Sequence, residues 1–125
     1  MEQFYLNRKS DLEEENQFDI SDIAKESGLL ISIFVTSTIW TELIKPDEEA
    51  IKSGENETSR IKEILSHLVT SIRLARQTKR SNIINFKTQL TSDGKSRDYE
   101  IISYLGPINK DNNNPCITLL SNDDL

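Results

Sequence analysis

The feature that most constrains the fold is a change in the spacing of apolar residues at Ser81. Before it, from Ile61 to Ala75, apolar side chains recur at intervals of three and four, which places them on one face of an α-helix. After it, from Ile84 to Leu90, side chains suited to a buried face alternate with polar ones, as they do in a half-buried strand. The spacing therefore predicts a long helix over 58–80 that leads into a strand.

Further strands are predicted on both sides of this helix. Residues 92–95 read as a hairpin turn leading into a strand over 98–105, and 116–120 has the composition of a last strand. Upstream, the β-branched and aromatic run 29–35 is typical of a buried strand. We expect an α+β fold in which a three- or four-stranded, mainly antiparallel sheet packs against one long amphipathic helix and one or two short helices.

The length of 125 residues fits one folded unit. We place a single α+β domain at 18–121 and a polar tail at 122–125. Residues 1–17 are acidic and contain few apolar side chains that could anchor them, so we expect a flexible N-terminal segment.

The net charge of -6 is divided unevenly along the chain. Residues 1–59 carry 5 basic and 14 acidic side chains, whereas 60–125 carry 10 basic and 7 acidic ones. The balance is therefore -9 followed by +3. Such a division is typical of separate acidic and basic binding surfaces, although a solvated acidic segment beside an ordinary charged helix gives the same counts.

The cations of the long helix fall on one flank of its apolar stripe. This basic flank consists of Lys62, Arg73, Arg76, Lys79 and Arg80. It could contact the phosphates of a nucleic acid with an affinity that depends on salt. Alternatively, it could pair, within one chain or between molecules, with the acidic segments at 13–15 or 47–57.

Carboxylates are concentrated in two places in the acidic half of the chain. The acidic surface that we consider consists of Glu13, Glu14, Glu15, Asp47, Glu48 and Glu49. Spaced carboxylates can imitate the charges of DNA and occupy the nucleic-acid groove of another protein. Charge that serves only to keep a protein in solution is the alternative interpretation.

No residue pattern predicts catalysis. The lone histidine, His67, is expected at the boundary of the long helix, and the lone cysteine, Cys116, as a small buried thiol. Trp40, at helical spacing from Ile44, is expected in the core. The polar loop 111–114 lacks the spacing of a calcium-binding loop, and the four glycines form no phosphate-binding motif. We expect no catalytic residues, no enzymatic activity, no cofactor and no metal.

The cellular compartment is predicted from the cysteine count and from the length of the apolar runs. One cysteine cannot form an internal disulfide, and no apolar run approaches the roughly 20 residues of a membrane helix. Residues 1–17 lack the apolar centre of a secretory signal. These observations predict a cytoplasmic protein that does not associate with a membrane.

Two segments carry a family resemblance. The N-terminal one is FDISDIAKESG at 18–28, followed by Val35-Thr36 and Ile39-Trp40, and the C-terminal one runs from Gly106-Pro107 to PCITL at 115–119. Over about residues 18–120 the chain resembles a family of small uncharacterised proteins carried by bacterial plasmids and phages. The resemblance implies a setting on mobile genetic elements and implies no chemistry.

These observations favour a non-enzymatic small acidic protein that binds a protein partner. The resemblance suggests an accessory protein of a phage or plasmid, and inhibition of a host defence complex, of the anti-CRISPR or anti-restriction type, is the most specific form of this hypothesis. The alternative is a small nucleic-acid-binding protein that uses the basic flank of the 58–80 helix.

Overall fold

A computed structural model describes residues 1–52, 54, 56–78, 81–92 and 95–125, with the backbone alone at 49–50, 76–78 and 91–92. The strands are β1 (Gln17–Asp19), β2 (Ser32–Thr36), β3 (Ile83–Ser92), β4 (Lys95–Asn109) and β5 (Asn112–Leu120). The helices are α1 (Glu2–Leu6), α2 (Arg8–Glu13), α3 (Ser21–Glu26), α4 (Ser37–Ile39), α5 (Glu48–Lys52) and α6 (Glu57–Thr78). A π-helical turn, Trp40–Ile44, continues α4, and a 3-10 turn, Asn122–Asp124, follows β5.

The strands form one mixed sheet in the order β1-β2-β5-β4-β3. Strands β2 and β5 pair in parallel, with Ser32 opposite Cys116, and all other pairs are antiparallel. The predicted α+β class is confirmed, whereas the predicted number of three or four strands is wrong. The difference arises because β5 returns from the end of the chain to lie between β2 and β4, and so joins β1 and β2 to the hairpin.

The first face of the sheet packs against α6. Four side chains of α6 are buried against this face and together contribute about 6–12 kcal/mol of burial free energy. They are Ile61, Ile64, Leu65 and Leu68. The sheet supplies side chains that share this face by register, among them Ile33, Phe86, Ile101 and Leu119. Fully buried packing on α6 ends at Leu68, and Ile72, one turn further on, is half-buried.

The helical segment after β2 begins with a side-chain cap. The Thr36 hydroxyl accepts a hydrogen bond from the Ile39 amide, and Lys45 N–H bonds the Trp40 carbonyl at 2.8 Å, which closes the π-helical turn just before Pro46. Trp40 is half-buried and stacks on Phe18 with ring centroids 4.5 Å apart. The helical spacing predicts Trp40 in the core, and the structure places it against the core at the periphery.

The second face of the sheet is partly covered by α1 and α2. Phe4 packs with Ile102 and Leu120, and Arg8 is buried beside β5. The segment 1–17 therefore contains two short helices that pack on the domain and ends at the first residue of β1, and its flexibility in solution stays a prediction.

Candidate partner-binding cleft

An apolar cleft of about 1020 Å³ opens on the first face of the sheet, beyond the point where the buried stripe of α6 ends. Its walls come from the loop between α3 and β2, the C-terminal half of α6 and the nearby strands. The lining contains no charged side chain among the described residues. A volume of this order lies at the upper end of the range for ligand sites in proteins.

The loop 28–31 forms one wall of the cleft. Gly28, with φ of +88°, lets the chain reverse at the end of α3, and Leu29 N–H returns to bond the Ala24 carbonyl at 2.8 Å. This reversal brings Leu29 and Ile31 onto the domain as half-buried residues. Leu30, between them, is left 86% exposed at the rim.

The opposite wall and the floor come from α6 and the sheet. Ile72 and Ala75 project from α6, and Ile84, Leu105 and Ile117 come from three neighbouring strands. Leu105 N–H bonds the Asn82 carbonyl at 2.8 Å, which fixes the start of β3 beside β4. Leu105 is still 38% exposed, so the apolar surface continues from the floor of the cleft to its rim.

The lining of the cleft includes one buried serine, Ser103. Ser103 sits between Ile84 and Leu119 in the register of the sheet and is 3% exposed. Its hydroxyl makes no hydrogen bond with any residue in the described ranges. No buried side-chain oxygen or nitrogen among the described residues lacks a hydrogen-bond partner, so the Ser103 hydroxyl keeps contact with solvent through the open cleft.

The described part of the basic flank is only partly free. Lys62 and Arg73 are exposed on α6, and Lys62 Nζ lies 3.7 Å from a carboxylate oxygen of Glu26 on α3. Arg76 is in α6 without a described side chain, and Lys79 and Arg80 lie outside the described residues. The structure thus places two of the five cations as side chains, and one of these two already faces a carboxylate.

The acidic surface is divided between two sites. Glu13 ends α2, and Glu14 and Glu15 form the exposed turn before β1. Glu15 has a positive φ of 60°. Asp47 is half-buried and Glu48 is exposed at the start of α5, and Glu49 lies in α5 without a described side chain. None of the acidic residues with a described side chain lines the cleft.

His67 and Cys116 have structural environments. His67 Nδ1 lies 2.6 Å from the Thr88 hydroxyl, which links α6 to β3. Cys116 is buried, and its thiol donates to the Pro107 carbonyl at 3.3 Å. Burial raises the pKa of the Cys116 thiol, although the neighbouring Arg8 guanidinium acts in the opposite direction. A raised pKa disfavours the thiolate that nucleophilic chemistry requires.

Arg8 is the centre of a polar cluster on the second face. It donates to the Thr118 hydroxyl at 2.8 Å, to the Ile108 carbonyl at 2.9 Å and to the side-chain oxygen of Gln17. Gln17 in turn donates to an Asp11 carboxylate oxygen at 2.7 Å. Burial lowers the pKa of Arg8, and the charges of Cys116 and Asp11 partly offset that effect.

The described ranges contain neither a metal-ligand cluster nor a membrane-spanning helix. No three His, Cys, Asp or Glu side chains there come together as metal ligands would. No helix in those ranges combines the length and apolar character that a membrane crossing needs.

The cleft was missed by the sequence reasoning. The run 29–35 was interpreted as one buried strand, but β2 begins only at Ser32, and the three residues before it form the wall and rim. Gly28 follows the end of α3 at Glu26. The signal available in the sequence was that a loop must follow this glycine, and that Leu29-Leu30-Ile31 in a loop must place one side chain outward.

Comparisons with known proteins return no relative. The chain matches no protein-family model, no curated protein and no solved structure.

Proposed function

We propose that this is a non-enzymatic binding protein, and that its partner is another protein whose apolar segment occupies the cleft. The observation that carries the proposal is the exposure of Leu30 at the rim of an uncharged cleft. An apolar surface that continues out of a cleft into solvent is typical of protein interaction sites. Burying a leucine side chain contributes about 1.5–3 kcal/mol, so Leu30 alone can act as an anchor for the partner.

The rim favours a protein over a small molecule. A ligand that filled the cleft alone would leave Leu30, and the 38% of Leu105 that is exposed, in contact with water. A helix or strand of a partner can enter the cleft and cover both leucines at once. A protein partner therefore removes more apolar surface from water than a small ligand can.

The described lining of the cleft offers nucleic acid no side chain that would bind a phosphate. Phosphate binding depends on lysine and arginine side chains, and none lines the cleft among the described residues. His67 and Cys116 also lie outside the lining. The proposal therefore requires no catalytic chemistry at the site.

The host-defence form of the proposal concerns the identity of the partner. It rests on the family resemblance, and imitation of DNA would place the contact on the acidic surface. The cleft lies on the α6 side of the sheet, whereas Glu13 ends α2, which packs on the other side. Reversal of Glu13, Glu14 and Glu15 to lysine is therefore a control that separates the two contact surfaces.

The experiment first identifies the partner by crosslinking from the rim of the cleft and then measures the affinity of the purified partner. A photo-crosslinking amino acid at position 30 is compared in cells with the same group at Lys9, which is exposed on α2. The protein crosslinked only from position 30 is purified and titrated by calorimetry. We expect Leu30→Asp to weaken binding by roughly thirtyfold or more. Reversal of the three glutamates should leave the affinity unchanged. Equal affinity of Leu30→Asp and wild type would reject the cleft as the contact surface.

A further inference from the structure

We infer that the segment bound in the cleft carries an aromatic side chain with a hydrogen-bonding tip, tyrosine or tryptophan, and that this tip bonds the hydroxyl of Ser103. The inference rests on the proposed function and specifies the chemistry of the partner. It is argued from the position of Ser103, from its lack of a bonding partner in the described ranges, and from the apolar lining around it.

The position of Ser103 determines how deep in the cleft the polar atom of the partner's side chain must lie. The residue is 3% exposed and belongs to β4, at the floor formed by the sheet. Its neighbours across the strands, Ile84 and Leu119, are apolar. A group that reaches the Ser103 hydroxyl therefore passes through apolar surroundings first.

Covering the cleft changes the free-energy cost of keeping the Ser103 hydroxyl away from water. While the cleft is open, solvent can satisfy the Ser103 hydroxyl. Once an apolar segment excludes water, the hydroxyl is buried without a partner unless the segment supplies one. A purely aliphatic occupant thus incurs a desolvation cost that an occupant with one well-placed polar atom avoids.

Tyrosine and tryptophan satisfy both requirements. Each has a large apolar ring that fits an uncharged lining, with one O–H or N–H at the far edge. A serine hydroxyl accepts a hydrogen bond from either group. A lysine, arginine or carboxylate tip would bring a charge into a lining in which the described residues offer no opposite charge.

The test uses a phage-displayed random peptide library panned against the full chain. Peptides that also bind Leu30→Asp are removed by counter-selection. We expect the retained peptides to be apolar and to contain tyrosine or tryptophan. A retained tyrosine peptide is synthesised, and its dissociation constant is measured with wild type and Ser103→Ala, each against the peptide with tyrosine or phenylalanine.

The outcome expected is a coupled double-mutant cycle. Ser103→Ala and the tyrosine-to-phenylalanine change should each weaken binding by roughly tenfold, and the two together by no more than either alone. Ser96→Ala, an exposed serine on the same strand, should leave the affinity unchanged. An unchanged thermal unfolding midpoint in Ser103→Ala would show that the variant is folded.

The failure of this inference is distinguishable from failure of the proposed function. Retained peptides without tyrosine or tryptophan, or two changes whose effects simply add, would overturn the role of Ser103 and leave the cleft as a protein-binding site. A library that yields no peptide sensitive to Leu30→Asp would count against the proposed function itself.

Discussion

The guanidinium carbon of Arg8 lies 4.2 Å from the centroid of the Phe34 ring, in the interior between α2 and the sheet. Arg8 is 2% exposed, and no carboxylate in the described ranges lies within ion-pair distance of it. Its charge is instead distributed over an aromatic face, a backbone carbonyl and two polar side chains. A cation thus anchors the acidic N-terminal segment to the sheet.

Removing this cation should destabilise the fold. Arg8→Ala leaves the Gln17 side-chain oxygen and the Ile108 carbonyl without their donor, and we expect the free energy of unfolding to fall by about 3 kcal/mol. Arg8→Lys keeps the charge but lacks the planar fork, so it should recover only part of the loss. Urea denaturation measures the free energy of unfolding of both variants. Lys9→Ala, on the exposed side of α2, should change stability by less than about 0.5 kcal/mol, and equal effects at 8 and 9 would contradict an anchoring role.

The helix and hairpin were predictable because their signals are local. The three-and-four spacing of α6 and the alternation in β3 are determined by residues close together in sequence. The parallel pairing of β2 with β5 was not predictable in the same way, because Ser32 and Cys116 are brought together by the whole intervening chain. Arg8 was also missed, since a cation among carboxylates resembles solvated surface charge in sequence.

The pH dependence of stability should report the buried thiol of Cys116. Burial raises its pKa in the folded protein, so the unfolded chain loses the thiol proton at lower pH than the folded one. The stabilising contribution is therefore complete below the ordinary thiol range and is lost as the pH rises through the folded pKa. We expect the stability of wild type relative to Cys116→Ala to fall between neutral and alkaline pH in denaturant titrations. A difference that is constant with pH would show that the thiol does not titrate differently on folding.

The left-handed backbone at Glu15 should make glycine favourable there. Glu15 has φ of 60° in the turn after α2, where Asn16 N–H bonds the Asp11 carbonyl at 2.8 Å. A side chain is disfavoured in this conformation, and helices commonly end with glycine at this position. Glu15→Gly should raise the thermal midpoint and increase the free energy of unfolding by up to about 1 kcal/mol. Glu14→Gly, at φ of -91°, should lower it, and the reverse order of the two variants would contradict the backbone argument.

The C-terminal turn is held to the start of α4 by Asp124. Its two carboxylate oxygens accept hydrogen bonds from Thr36 and Thr38, each at 2.7 Å, and one also accepts from the Ser121 amide. Asp124→Ala should cost about 1–3 kcal/mol, because two hydroxyls lose their acceptor. Asp123→Ala, an exposed neighbour with the same charge, is the matched control and should have little effect in the same denaturation experiment. Similar losses for both would indicate a general charge effect and not these bonds.

The basic flank provides the test of the nucleic-acid alternative. Arg73→Glu, Arg76→Glu and Arg80→Glu are combined, and binding of fluorescein-labelled duplex DNA and single-stranded RNA is followed by anisotropy at low salt and at about 0.15 M salt. Because the proposed partner binds in the cleft and not on the flank, we expect at most a weak, salt-sensitive signal from wild type, which the flank variant and a control of equal charge should reduce to the same extent. Lys9→Glu, Lys45→Glu and Lys110→Glu change the net charge equally at exposed positions away from the flank. Saturable wild-type binding that only the flank variant loses, with a salt slope smaller by about one for each lost phosphate contact, would establish the alternative and reject the cleft proposal as the main function.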